Sequence, residues 1–150
     1  MYRRILVPVD GSPTSTKALT AALAMARIVS ARIRLVHVVD EMAFLTGYDQ
    51  YTHSADLINV MREAGAKVLN DAMAIAQSAG VEVDQVLFDK LGGRLGDQVA
   101  DAAKLWNADL IVVGTHGRHG IGRFFMGSGA EQIIRLAPIH VLVVRDLDPG

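Results

Sequence analysis

Leu110-Ile111-Val112-Val113-Gly114-Thr115-His116-Gly117 is the stretch on which the fold turns. Four consecutive apolar residues leave no position to face water, so the run suits a strand buried on both faces. A glycine-rich segment follows it directly. Four other short, mainly apolar runs also read as strands: Ile5 to Val9, Arg32 to Val39, Val83 to Phe88 and Ile139 to Val144. Between them the apolar spacing changes from strand to helix. Ser12-Pro13 is a cap followed by a first-turn proline, and Leu19, Ala22, Leu23 and Ala26 form one helical face. A second helix is expected from about Ala55 to Ala79, with Leu57, Met61, Ala64, Val68, Ala72 and Ile75 inward and Gly80 as its left-handed terminator. After Gly92-Gly93, a third helix turns Leu95, Val99, Ala102 and Trp106 inward. Ser128 and Glu131 have the spacing of a capping box for a fourth, which Pro138 ends.

Doubly apolar strands alternating with helices predict an α/β fold: a single open five-stranded parallel sheet, doubly wound, with helices on both faces. No repeat, low-complexity tract or linker divides the chain, so residues 1–150 read as one domain. Trp106, the Leu and Val stripes and the six methionines are expected in the core.

Composition narrows the function. The 150 residues carry a formal net charge of −1, which argues against nucleic acid held through its phosphates. With no cysteine, disulfides, thiolate chemistry and Cys-based zinc sites are excluded. The opening apolar run is too short for a signal segment and no run reaches membrane-spanning length, so the cytoplasm is the expected location.

In open parallel sheets, ligands sit beyond the carboxyl ends of strands where the winding reverses. Two segments there look unlike simple connectors: Pro8-Val9-Asp10-Gly11-Ser12, and Gly114 through Arg123 leading to Gly127-Ser128-Gly129. Glycines allow close approach and present successive N–H groups to an anion, and the next helix adds free donors and a favourable dipole. Three arginines and one glutamate between Gly114 and Arg135 bias the region positive. Asp10 can accept hydrogen bonds from ribose hydroxyls or help hold a cation. The pattern reads as a nucleotide, with sugar at Asp10 and phosphates at the glycine loop. Each feature also has a plainer reading: glycines as tight turns, Asp10 as a turn residue, His116 and His119 as exposed loop residues. His37 reads as a structural histidine within its strand. Tyr48 and Tyr51 either cover a pocket or pack their own loop. Gly122-x4-Gly127-Ser128 lacks the Walker lysine, no Gly-x-Gly-x-x-Gly follows strand one or four, and Ser128 is not in a nucleophile elbow.

Gly114-x2-Gly117-x9-Gly127-Ser128 resembles the ATP-binding signature of the universal stress protein family. The flanking Ala108 to Val113, Ala137-Pro138 and Val141 to Arg145 are similar to that family too, as are Arg4 to Ser12 and Leu35 to Val39. The resemblance implies strand order 3-2-1-4-5 and a site for ATP, with Mg2+ held mainly through the phosphates. It implies that Asp10 bonds the ribose, Pro8 and Val9 shape the wall beside it, and Val38 meets adenine through its backbone. Gly114, His116 and Gly117 would border ribose and phosphates, Gly127, Ser128 and Gly129 would hold the phosphate tail, and Arg118 would lie near it. It also implies a homodimer through Ile139 to Val144. Two positions depart from the pattern: Gly129 stands where the family commonly has valine, and His140 where proline is frequent.

Efficient phosphoryl transfer needs a cation-binding carboxylate and a positioned nucleophile or base near the phosphates. Near the glycine loop only Arg118, Arg123 and His116 or His119 can be named, with no carboxylate besides Glu131, itself assigned to a cap, so no catalytic residue is assigned. The expected function is ATP-dependent regulation in stressed cells, acting through dimerisation or an unidentified protein partner. The alternatives are a slow ATPase or self-phosphorylating enzyme, and a structural dimer with a vestigial pocket.

Overall fold

A computed structural model of the chain describes residues 1–39, 55–89, 93–116 and 128–146. Its elements in chain order are β1 (Arg4–Pro8), α1 (Pro13–Val29), β2 (Arg32–Val38), α2 (Ala55–Gln77), β3 (Val83–Phe88), α3 (Leu95–Trp106), β4 (Leu110–His116), α4 (Ser128–Leu136) and β5 (His140–Asp146). All strand pairs are parallel, in the order β3-β2-β1-β4-β5. The winding therefore reverses between β1 and β4, as the resemblance implied.

The three inner strands β1, β2 and β4 are covered on both sides by two apolar layers, while the edge strands β3 and β5 are partly exposed. Ile5, Val7, Ile33, Leu35 and Val112 face Leu19, Ala22 and Ala26 of α1 and Leu69, Ala72 and Ala76 of α2. Leu6, Val36, Ile111 and Val113 face Val99, Ala102 and Trp106 of α3 and Ile133 of α4. Each fully buried Leu, Ile or Val side chain contributes about 1.5–3 kcal/mol relative to leaving it in water. The doubly apolar runs are thus the reason the sheet lies in the middle.

Local signals set the helix ends. Ser12 is extended at φ −76° and ψ 157°, its hydroxyl accepts the Ser15 N–H at 3.2 Å, and Pro13 is the first helical residue. Ser30 and Asn107 end α1 and α3 in the left-handed conformation, and Gly80 follows α2 at φ +72°. The amino ends of the strands are tied across the sheet. Asp109 accepts the N–H groups of Arg3 at 2.9 Å and Arg4 at 3.2 Å, and the Tyr2 hydroxyl lies 3.0 Å from His140 Nδ1. At the other end of β5, Asp146 is ion-paired with Lys17 of α1.

Several expectations need correction. The inward stripe of α2 is Met61, Gly65, Leu69, Ala72 and Ala76, whereas Ala64 and Ile75 are exposed. Gly65 decides this: a Cβ there would sit 2.7 Å from His37 Cδ2 and 2.8 Å from Leu87 Cδ1. The helix therefore turns its glycine to the sheet for close approach, which an apolar count cannot register. Among the described methionines, Met61 is buried, Met25 and Met73 are half-buried, and Met1 is fully exposed. β5 begins at His140 and runs to Asp146, two residues past the expected end, because it stays in register with β4 to His116↔Asp146. Ser128 is the first residue of α4 rather than its predecessor, and Glu131 accepts a hydrogen bond from Arg135 Nη2 at 2.8 Å.

Candidate functional site

The central strand β1 is released by both neighbours as it ends. On the β4 side, Asp109 N–H donates to Arg4 O, so the even-numbered residues of β1 direct their backbone groups towards β4. Pro8 is the next-but-one even residue and has no N–H to give. The β1–β4 register accordingly stops at Leu6↔Ile111. On the β2 side, the Val9 N–H still donates to Val36 O at 2.8 Å. The following rung would be Val38 N–H to Val9 O, but Val9 O instead lies 2.8 Å from His37 Nδ1. A carbonyl oxygen only accepts, so Nδ1 carries the proton.

Between the parted strand ends lies a cavity of ≈550 Å³, within the range of small-molecule sites. Pro8, Val9, Val36, Val38, Val39 and Val113 supply its apolar walls from the sheet, and Met61, Ala64 and Val68 supply another from α2. Ser12, Thr14 and Ser15 from the start of α1, with Asp10 and His37, form the polar side. Gly129 and Ala130, in the first turn of α4, close the far end. First-turn N–H groups have no partner within their own helix and favour an anion.

The polar side is organised around Asp10. Its Oδ1 accepts the Ser12 N–H at 2.9 Å, and the Asp10 N–H points to Ser15 Oγ at 3.4 Å. Ser12 Oγ and Thr14 Oγ1 are 3.0 Å apart. Partial burial is the largest single influence on the carboxyl and pushes its pKa up. The hydroxyl and N–H of Ser12, the Ser15 hydroxyl and nearby His37 together outweigh it and hold the carboxyl below its ordinary value. Asp10 is therefore both a turn residue and an ionised acceptor at the cavity wall.

Of the residues singled out from sequence, Pro8, Val9, Asp10, Val38, Gly114 and Gly129 line this one cavity. His116 ends β4 and Ser128 opens α4, while Gly117, Arg118 and Gly127 lie outside the described residues. Gly114 has a packing role as well. A Cβ there would be 2.1 Å from Thr14 O, so only glycine lets α1 cross β4 at this height. Among the described residues a Cβ at Gly129 would meet only the end of the Leu95 side chain, at 2.7 Å from Cδ2. Sequence reasoning missed Thr14, Ser15, Met61 and Val68 as cavity residues. The hydroxyl run Ser12, Thr14, Ser15 after Asp10 was a usable signal, whereas Met61 and Val68 look like any core stripe. His37 was read as a satisfied strand histidine, which it is, although it also lines the cavity.

Among the described residues no cluster of His, Asp and Glu could hold a metal ion, and no helix is long and apolar enough to cross a membrane.

The universal stress protein family model matches residues 1–145. The chain belongs to that family. A universal stress protein of Methanocaldococcus jannaschii is 31% identical over 145 residues, covering 97% of this chain and 83% of that one. A solved member of the family from Burkholderia pseudomallei is 33% identical, with a TM-score of 0.76, covering 95% of this chain and 96% of its own. The universal stress protein of Archaeoglobus fulgidus in complex with dAMP shares the fold at 24% identity, with a TM-score of 0.68, covering 95% and 98%.

Proposed function

We propose that this protein binds ATP in the cavity at the β1–β4 switch point and acts as a nucleotide-dependent regulator rather than as a rapid enzyme. The observation that carries the reading is the double release of β1. It opens a cavity with apolar walls, an ionised acceptor at one end and helix N–H donors at the other, the three chemistries of base, sugar and phosphate. That a family member of the same fold was solved with dAMP supports the nucleotide class.

In this reading Val38 receives the base, through backbone groups that the parted strands leave facing the cavity. Pro8 and Val9 form the wall beside it, and Asp10 accepts from the ribose hydroxyls. Gly114, His116 and Gly117 border the sugar and phosphates. Gly127, Ser128 and Gly129 take the phosphate tail at the start of α4, with Arg118 beside it. Mg2+ is held mainly through the phosphates. The whole of residues 1–150 works as one domain in the cytoplasm.

The nucleotide state reaches a second copy through β5. α4 ends at Leu136 and β5 begins at His140, so only three residues join the helix whose start faces the cavity to the sheet edge. That edge pairs with β4 on one side only and offers half-buried Val141 to Val144 for a dimer.

The test is calorimetric titration of nucleotide-stripped protein with ATP and Mg2+. Saturable binding near one ATP per chain is expected, with turnover far slower than that of a kinase. Folded protein that takes up no nucleotide would overturn the proposal.

A further inference from the structure

We propose that His37 is the positioning residue that keeps the Val38 edge of β2 open for a nucleobase. In a parallel ladder, alternate residues of a strand face the same neighbour. On β2 the even positions face β1, as Val36 O shows by accepting from Val9 N–H. The odd positions face β3, where Val39 N–H donates to Phe88 O at 3.0 Å. The N–H and C=O of Val38 therefore point to the β1 side. The natural partner of the N–H is Val9 O, which instead accepts from His37 Nδ1 at 2.8 Å. The imidazole substitutes for a ladder rung, so the sheet satisfies Val9 without closing over Val38.

A second observation shows that the ring position is built in. α2 passes directly over the imidazole, and a Cβ at Gly65 would be 2.7 Å from His37 Cδ2 and 3.2 Å from Nε2. A glycine inside a long helix weakens that helix, and here it makes room for the ring. The cavity beside it is lined by His37, Val38 and Val9 together. A donor and an acceptor from one residue, spaced along a strand edge, suit a planar ring that carries an adjacent acceptor and donor. The identity of that ring rests on the nucleotide reading above; the opening by His37 does not.

The experiment uses the full chain without ligand and measures amide hydrogen exchange at Val38, followed by ATP titration. His37→Val removes the donor while keeping a strand-forming residue. It is expected to let Val38 N–H join Val9 O, slowing exchange at Val38 at least ten-fold and weakening ATP at least ten-fold. His37→Asn places an amide nitrogen close to the Nδ1 position and is expected to restore fast exchange and most of the affinity. Gly65→Ala crowds the ring from the helix side and should move both readouts in the direction of His37→Val, which keeps the test decisive if the valine variant does not fold. Unchanged Val38 exchange in folded His37→Val or Gly65→Ala would overturn the proposal. If exchange responds as expected but neither parent nor variants bind ATP, the opening stands and the nucleotide reading falls.

Discussion

Replacing Gly114 by alanine separates two reasons for a glycine at this position. If it serves only to let a ligand approach, alanine should weaken ATP binding and leave the fold as stable as before. The geometry predicts otherwise. The new methyl would lie 2.1 Å from Thr14 O and 2.6 Å from Thr14 C, where ordinary contact begins at 3.4 Å. The obstacle is backbone in the first turn of α1, so no side chain can rotate away. The helix or β4 must move by more than an ångström, dragging the Ser12 cap and the Asp10 turn with it. Overpacking of a tight interface costs about 1–3 kcal/mol, and a backbone clash this close belongs near ~3 kcal/mol. For a domain of this size that corresponds to a fall in Tm of about 6–12 °C. Thermal unfolding of parent and variant, followed by circular dichroism, measures it. Gly129→Ala is the matched control, because among the described residues its Cβ would meet only Leu95 Cδ2, and it should shift stability by less than about 1 kcal/mol. A Gly114→Ala protein that melts within about 2 °C of the parent would refute the packing argument.

Three other outcomes are expected. Gly96→Ala should lose about 1–3 kcal/mol in urea unfolding, since its Cβ would lie 2.7 Å from both Cβ and O of Gln132 at the α3–α4 crossing. Asp10→Ala should weaken ATP by about 1–3 kcal/mol, roughly 5- to 150-fold in Kd by calorimetry, through loss of hydrogen bonds to the ribose. Asp10→Asn tests the titration. Because the folded carboxyl sits below its ordinary value of 3.8, its ionisation stabilises the fold fully above that pH and fades as pH falls through the folded value. The unfolding free energies of parent and Asp10→Asn should therefore differ at pH 6 and draw together towards pH 2.

The parts of the structure legible in the sequence were those written in side-chain pattern. Leu110 to Val113 and Ile5 to Val9 announced a sheet buried on both faces, and Ser12-Pro13 announced the start of α1. Strand order came from the family resemblance, and the sheet has that order. What sequence could not show was written in clearances and in backbone direction. Gly65 carries no apolar signal, yet it rotates α2 and exposes Ile75. Gly114 was legible as a ligand glycine, while its contact with Thr14 O exists only once α1 and β4 are placed together. His37 looked like a strand residue with a partner, and nothing in its neighbours says that the partner is Val9 O. Met61 and Val68 joined the site through folding alone.

The ties at the foot of the sheet bear on how the chain is made. Arg3 and Arg4, made long before their partner, hydrogen-bond a carboxylate on Asp109, 106 positions beyond Arg3. Tyr2 waits longer still, for His140. A nascent chain that has emerged through β3 can pair β1 with β2 and lay α1 and α2 on one face, yet half of the central strand's edge and the opposite face lack their partners until β4 arrives. Contacts this distant in sequence slow folding and leave apolar surface open meanwhile. For several seconds of synthesis, the strand destined for the middle of the sheet is its exposed border.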